Sequence, residues 1–93
     1  MIVLMEAMAM VKNEKISAII ESLDQLSEDS TVPRNIRRGA TSAKENLVKE
    51  EDAIDLRKAK AISILDELAN DPNIPTHGRT IIWNIIGQLE TIK

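Results

Sequence analysis

The sequence predicts an all-α fold of four antiparallel helices, arranged as two repeated helical hairpins. The first observation is an internal repeat with a constant offset of 42 residues, which relates Leu23 to Leu65 and Arg37 to Arg79. The second is that Ile and Leu recur with the spacing of half-buried helices. The third is that no segment alternates polar and apolar residues, so no sheet is expected. The two hairpins either stack side by side or close into an up-down four-helix bundle.

Composition predicts one small helical domain over residues 1–93. The chain has one Trp, no Phe, no Tyr and no Cys, so its core is aliphatic and it lacks disulfides and thiol nucleophiles. The net charge is −3 and charges of both signs make up 29% of the residues, which indicates an ordinary water-facing surface. This composition is compatible with a reducing cytoplasm, where we expect the protein to be located.

Residues 1–11 form an apolar N-terminal extension with a single charged residue, Glu6. The stretch is too short to span a bilayer, which needs about 20 apolar residues, and it lacks the basic leader of a secretory signal. It is either an extra turn or two of the first helix or sequence upstream of the true start, for which Met5, Met8 and Met10 are candidates. If the extension is ordered, a second copy of the chain is its expected cover.

The first hairpin is expected over residues 12–49. Helix 1 ends near Glu28, because the breaker segment 29–33 contains a proline that pushes the preceding residue out of helical geometry. Helix 2 begins at about Pro33, and its small inward residues imply a close approach to a neighbouring helix. The inward positions are Ile16, Ile19, Ile20, Leu23 and Leu26 in helix 1, and Ile36, Ala40, Ala43 and Leu47 in helix 2.

The second hairpin is expected over residues 53–92. The acidic link 50–52 favours the start of the next helix through the helix macrodipole. Helix 3 runs from about Ala53 to Ala69, and helix 4 from about Pro75 to Ile92. The inward positions are Ile54, Ala61, Ile62, Leu65 and Leu68 in helix 3, and Ile81, Ile82, Ile85, Ile86, Leu89 and Ile92 in helix 4.

Three glycines, Gly39, Gly78 and Gly87, fall inside predicted helices. Each costs about 1 kcal/mol relative to alanine in an exposed helix interior. We interpret all three as points of close packing where a side chain would clash with a neighbour.

A turn aspartate is followed eight residues later by an arginine in both units, as Asp29 with Arg37 and Asp71 with Arg79. Such an aspartate accepts N–H groups of its own turn. The arginine can then reach back with charge-assisted donors, within its own unit or to the other. We interpret these four residues as structural turn ties. A ligand-binding Asp–Arg pair is the less favoured alternative, because a duplicated motif is more easily a fold determinant than one active site.

A basic cluster of Arg34, Arg37 and Arg38 lies at the start of helix 2, on one helix face. Three cations at a helix N-terminus oppose the macrodipole, which raises the hypothesis of an anionic partner such as RNA phosphate. The favoured interpretation is a solvated face paired with nearby acids, because the net charge is negative and no aromatic platform accompanies the cluster. The candidate acids are Glu28, Asp29 and Glu45.

The single aromatic residue, Trp83, lies on the flank of helix 4, where it is either the edge of the core or an interface anchor. The single histidine, His77, has no metal set and no dyad partner of the usual kind, and we expect it to be exposed or to cap a turn beside Asp71. The sequence contains no phosphate-binding glycine loop, no HExxH motif and no nucleophile elbow. We therefore expect no enzymatic activity, no cofactor and no bound metal.

Five segments closely resemble a family of small helical archaeal proteins, uncharacterised protein family 0147. The resemblance covers the chain from about Lys15 to its end and implies an all-helical fold, but no function. The apolar extension before about Val11 departs from the family pattern. More weakly, the order of helix, Asp turn, Pro, Arg and helix is similar to HEAT-type repeats, in which such Asp and Arg residues tie neighbouring units. The five segments are residues 23–29, 32–38, 61–68, 71–75 and 80–83.

The favoured function is a non-enzymatic helical protein-interaction or scaffold module that self-associates. Its expected partner is a protein, and a second copy of the same chain, which would form a homodimer, is one such partner. The alternative is a small nucleic-acid-associated factor that uses Arg34, Arg37 and Arg38. The candidate interface residues are Arg34, Arg38 and Trp83, and no membrane partner is expected.

Overall fold

Four α-helices make up the regular structure, as the sequence predicts. The computed structural model describes the backbone of residues 2–92 and the side chains of residues 15–92. No strand occurs in that part of the chain. The helices are α1 (Ile2–Glu28), α2 (Arg34–Leu47), α3 (Ile54–Ala69) and α4 (Thr76–Glu90).

Helices α2 and α4 both begin one residue later than predicted. Pro33 and Pro75 have an extended backbone with ψ of 156°, so each is the N-cap residue and not the first helical residue. Each proline carbonyl still accepts an N–H from the first turn, at 3.2 Å from Arg37 and 3.1 Å from Arg79. The ring fixes φ and removes an N–H that would have no helical partner, which suits either position.

Helix α4 ends at Glu90 and not at the predicted Ile92. The N–H groups of Thr91 and Ile92 bond back to the carbonyls of Gln88 and Leu89, three residues earlier. This tighter spacing ends the α-helix in a 3₁₀-like turn. Ile92 nevertheless keeps the buried position that its spacing predicts.

The four helices close into an antiparallel bundle. α1 packs against α2, α2 against α3, α3 against α4, and α4 returns to α1. Within the described residues, α1 does not pack against α3, nor α2 against α4. A HEAT-like stack would place such equivalent helices side by side, so the closed bundle is the arrangement adopted.

The core is aliphatic, and among residues 15–92 it contains no buried polar or charged side chain. Each helix contributes one stripe, and all four predicted inward positions of α2 are buried. The core residues are Ile19, Leu23, Leu26, Val32, Ile36, Ala40, Ala43, Leu47, Ala61, Leu65, Ala69, Ile74, Ile82, Ile85, Leu89 and Ile92.

Two residues outside the helices belong to this core, one in the breaker segment 29–33 and one in the loop between α3 and α4. Val32 and Ile74, which are 42 residues apart, are 3% and 6% exposed. They lie in the α1–α2 and α3–α4 loops, at the same end of the bundle, which we call the loop end. Both approach Gly78, where an added Cβ would lie 3.3 Å from Val32 Cγ1 and 3.2 Å from Ile74 Cγ1.

The close-packing interpretation fits two glycines and is wrong for the third. A Cβ on Gly39 would lie 2.5 Å from both methyl carbons of Leu68, where α2 meets α3, and Gly78 is tightly packed as described above. Among residues 15–92, a Cβ on Gly87 would meet nothing within 4 Å. Within that part of the chain, Gly87 therefore weakens α4 without gaining a closer helix contact.

The apolar extension, residues 1–11, has its side chains outside the described residues. The backbone of α1 begins at Ile2, so the extension is helical from that residue on. Within the described part of the chain, no helix is both long enough and apolar enough to cross a membrane.

Candidate functional site

The turn aspartates each close their own loop. Asp29 accepts the Thr31 N–H at 2.8 Å, and Asp71 accepts the Asn73 N–H at the same distance. A side-chain oxygen that accepts an N–H two residues later forms an Asx turn, which replaces a backbone hydrogen bond. The aspartates make these turns without contacting Arg37 or Arg79.

The same aspartates also connect the two hairpins. Asp29 Oδ2 lies 3.3 Å from His77 Nε2, and Asn35 Nδ2 donates to Asp71 Oδ2 at 2.6 Å. Asn35 and His77 are 42 residues apart, as the aspartates are, so the two contacts are equivalent within the repeat. Asp71, which the sequence places on the same turn as His77, is bound to Asn35.

Thr31 completes a small polar cluster with Asp29 and His77. Its hydroxyl donates to Asp29 Oδ1 and lies 2.8 Å from His77 Nε2. Hydrogen bonds from the Thr31 hydroxyl and N–H lower the pKa of Asp29; burial opposes them, and His77 lowers the pKa further. The carboxylate therefore stays ionised, and the cluster is a hydrogen-bonded turn, without an activated nucleophile.

An arginine four residues after the N-cap occurs at the start of α2, α3 and α4. Arg57 donates through Nε and Nη2 to the Leu47 carbonyl, at 2.9 and 2.6 Å. Arg79 donates through Nε to the Ala69 carbonyl at 3.0 Å. Each acceptor is in the last turn of the preceding helix, where carbonyls have no partner within the helix. These arginines hold successive helices together, and the 42-residue repeat did not identify Arg57.

Arg37 occupies the equivalent position in α2 but makes no such bond. The carbonyl ten residues earlier belongs to Ser27, yet Arg37 Nε is buried without a hydrogen-bond partner among the described residues. A buried donor without a partner costs about 1–3 kcal/mol. The predicted tie by Arg37 is therefore absent, whereas the Arg79 side chain reaches back within its own unit.

The basic cluster lines a shallow depression of about 230 Å³, which we call the arginine depression. It lies on the outer surface between the end of α1 and the first turns of α2. Within residues 15–92, no ion pair joins any of the three guanidinium groups to a carboxylate. The acids expected as partners thus do not neutralise the cluster. The lining residues are Ser27, Arg34, Arg37, Arg38 and Thr41.

Trp83 is on the outer face of α4 and is 58% exposed, so it is not part of the core edge. Gly87 lies one helical turn later on the same face. Because α4 does not pack against α2, Trp83 is separate from Arg34 and Arg38. The three candidate interface residues therefore do not form one surface.

The sequence matches the family described as Uncharacterised protein family (UPF0147) over residues 4–92. The chain belongs to this family. A UPF0147 protein of Thermoplasma volcanium is 47% identical over 85 residues, which cover 91% of this chain and 94% of that protein. A UPF0147 protein of Pyrococcus abyssi is 51% identical over 81 residues, which cover 86% and 94%. The resemblance predicted from the five segments is confirmed.

The all-α UPF0147 fold is confirmed by a solved relative. The crystal structure of a UPF0147 protein from Thermoplasma acidophilum superposes with a TM-score of 0.85 at 44% identity. The superposed residues cover 89% of this chain and 98% of the Thermoplasma acidophilum chain. The family match begins at residue 4, so the prediction that the extension before about Val11 departs from the family pattern is wrong from that residue on.

No group of side chains suited to hold a metal ion occurs in the part of this UPF0147 chain that the structure describes. Two polar features of the described surface bring together residues that the sequence singled out: the Asp29–Thr31–His77 cluster and the arginine depression. The residues of the first are hydrogen-bonded to one another, whereas the guanidinium groups of the second have no carboxylate partner among residues 15–92. The arginine depression is therefore the better candidate for binding a ligand.

Proposed function

We propose that this UPF0147 protein is a non-enzymatic helical interaction module that self-associates through the N-terminal part of α1. The observation that carries the proposal is the length of that helix. α1 has 27 residues, whereas α2 and α4, which pack against it, have 14 and 15. At about 1.5 Å per residue, α1 is about 40 Å long and each neighbour is about 22 Å long.

Helices α2 and α4 are therefore long enough to cover about half of α1. The end of α4 shares a surface depression with Lys15 and Ile19 of α1. Residues 2–11 are apolar except for Glu6. A helix that is apolar around most of its circumference is buried in a larger assembly.

A second copy of the chain is the partner that supplies a matching aliphatic surface. Two-fold pairing brings the same apolar segment of both copies together, as in most homodimers. Val48 and Leu56, which are 47% and 45% exposed, lie at the end of the bundle opposite the loop end. The N-terminal part of α1 extends beyond the bundle at this same end. Both side chains are therefore placed to enlarge an interface formed by that part of α1.

Light scattering after gel filtration tests the proposal. The wild-type chain is expected at about twice its monomer mass of 10.4 kDa. Leu4→Glu/Met8→Glu, one helical turn apart, is expected to give the monomer mass, because paired charges cannot be buried in an aliphatic contact. The matched control Ala59→Glu/Ser63→Glu places the same charges on the exposed face of α3 and is expected to remain dimeric. A monomeric wild type at about 100 μM would contradict the proposal.

The proposal includes the absence of catalysis and a cytoplasmic location. General acid–base groups work best when their pKa is close to the operating pH. The pKa of Asp29 is lowered instead, and His77 Nε2 is held against Thr31 and Asp29. A chain without cysteine is compatible with the reducing cytoplasm.

The nucleic-acid-associated factor is the second candidate. The observation that favours it is that the guanidinium groups of Arg34, Arg37 and Arg38 have no carboxylate partner within residues 15–92. Two observations make this candidate weaker than self-association. The net charge is −3, and Trp83, the one aromatic side chain, is far from the arginine cluster and cannot stack a base there. A gel-shift titration against RNA and DNA tests it, and retardation that falls steeply with salt is the supporting result.

A further inference from the structure

We propose that the arginine depression is a binding site for a phosphate group. The proposal concerns a ligand of the bundle surface and does not depend on self-association. It is also broader than a nucleic-acid function, because a small phosphorylated molecule and a nucleic-acid backbone carry the same group.

The donors of the site are guanidinium groups. The Ser27 hydroxyl donates to the Asp24 carbonyl at 2.7 Å, and the Thr41 hydroxyl donates to the Arg37 carbonyl at 3.3 Å. Both hydroxyl protons are thus used within the protein. The N–H groups of Arg34, Arg37 and Arg38 remain, and their planar forks match the oxygens of a phosphate group.

Arg37 gives the strongest indication of a bound ligand, because two other arginines at equivalent helix positions can be compared with it. Arg57 and Arg79, at equivalent helix positions, direct Nε to a carbonyl ten residues earlier. Arg37 Nε is buried without such a partner. Buried donors in proteins are paired in the great majority of cases, so we expect the Arg37 side chain to turn its Nε–H towards an acceptor bound in the depression.

The local charge also favours an anion. Positions 34, 37 and 38 are neighbours on one helix face, so their like charges repel each other. They lie in the first turns of α2, where the macrodipole repels cations and attracts anions. A bound phosphate group relieves both effects at once.

The fold itself does not require this basic set. The residues 42 positions after Arg34 and Arg38 are Thr76 and Thr80, at the equivalent start of α4. That helix begins behind the same proline cap as α2 does. The two arginines are therefore an addition to one of two equivalent helix starts.

The first test is an NMR titration of the arginine Nε–H signals with inorganic phosphate, compared with chloride at equal ionic strength. The Arg37 signal is expected to move and saturate with phosphate alone. The Arg57 and Arg79 signals, whose Nε–H groups are bonded to carbonyls, are expected to stay. An Arg37 signal that does not move, or three signals that move together, would overturn the proposal.

The second test removes charge at exposed positions. Arg34→Gln/Arg38→Gln keeps Arg37 and is expected to weaken phosphate binding at least 10-fold. The control Lys15→Gln/Lys49→Gln removes two positive charges elsewhere and is expected to change the affinity less than twofold. Equal weakening in both variants would show a non-specific ionic effect and would overturn the proposal.

A third arm identifies the source of the phosphate group, with a 12-nucleotide single-stranded RNA added to the phosphate-saturated protein. Displacement of phosphate at Arg37, with a salt slope of about −2 for three neutralised phosphates, assigns the site to a nucleic-acid backbone. An Arg37 signal that stays at its phosphate-bound position assigns the site to a small phosphorylated molecule. RNA binding that is equal in the wild type and in Arg34→Gln/Arg38→Gln, without a phosphate response, would overturn the proposal.

Discussion

Arg79→Ala is expected to destabilise the bundle clearly, whereas Arg37→Ala at the equivalent position is expected to cost little. Arg79 Nε donates to the Ala69 carbonyl at 3.0 Å, and Arg37 Nε has no acceptor among residues 15–92. A hydrogen bond from a charged donor contributes about 1.5–3 kcal/mol. In a domain of this size, each 1 kcal/mol shifts Tm by about 4–8 °C, so a loss of about 2 kcal/mol lowers Tm by about 8–16 °C.

The assay is thermal and urea unfolding followed by circular dichroism at 222 nm, at one fixed protein concentration because self-association adds to apparent stability. The buffer contains HEPES and chloride, without phosphate, so that no ligand stabilises the wild type through Arg37. Arg57→Ala provides a second comparison, since two of its nitrogens donate to one carbonyl. If Arg37→Ala costs as much as Arg79→Ala, the assignment of the helix-end bonds as the source of stability is refuted.

Three further predictions concern the glycines and the acidic turn. Gly87→Ala is expected to raise the free energy of unfolding by up to about 1 kcal/mol, since its Cβ meets no atom of the described side chains within 4 Å; a lower urea midpoint would contradict this. Gly39→Ala is expected to lower the free energy by about 1–3 kcal/mol through overpacking against Leu68, and an unchanged midpoint would contradict the clash. Hydrogen bonds from Thr31, followed by His77, lower the pKa of Asp29 from 3.8, so its stabilisation is complete above pH 3.8 and is lost as pH falls through the lowered pKa. Urea midpoints below pH 3.8 should therefore fall less steeply in Asp29→Asn than in the wild type, and equal slopes would count against this reasoning.

The helices were predictable because each has one apolar stripe with the α-helical period. All four inward positions predicted for α2 are buried, since their spacing alone specifies one helix face. Val32 and Ile74 were missed because a loop has no period from which burial can be inferred. Their separation of 42 residues was the available signal, since a repeated apolar residue before a proline indicates a repeated role. The ring closure by α1 and α4 was not predictable, because a stack and a closed bundle bury the same stripes.

The candidate site was predictable in part. Repeated spacing correctly singled out the turn aspartates, but it paired them with arginines, because residues eight positions apart in one unit were the only partners that spacing could offer. The actual partners, His77 for Asp29 and Asn35 for Asp71, come from the other hairpin. Only the folded bundle brings these side chains together. The free Nε of Arg37 is likewise a property of three-dimensional packing, and the sequence makes it look equivalent to Arg79.

Differences between equivalent positions of the two units separate what the fold needs from what it does not. The proline caps and turn aspartates occur in both units, and both pairs have a structural role in the bundle. Arg34 and Arg38 occur in one unit, opposite Thr76 and Thr80.

Arg34→Thr/Arg38→Thr gives α2 the residues that α4 already has at the equivalent positions. The free energy of unfolding is therefore expected to stay within about 0.5 kcal/mol of the wild type, as for surface substitutions in general. Removal of like charge from a helix N-terminus should even favour the variant slightly. The phosphate-induced shift of the Arg37 Nε–H signal is expected to be lost in the same variant. If the variant is destabilised by more than about 1 kcal/mol in phosphate-free buffer, the arginines belong to the fold, and their restriction to one unit is not evidence of a ligand.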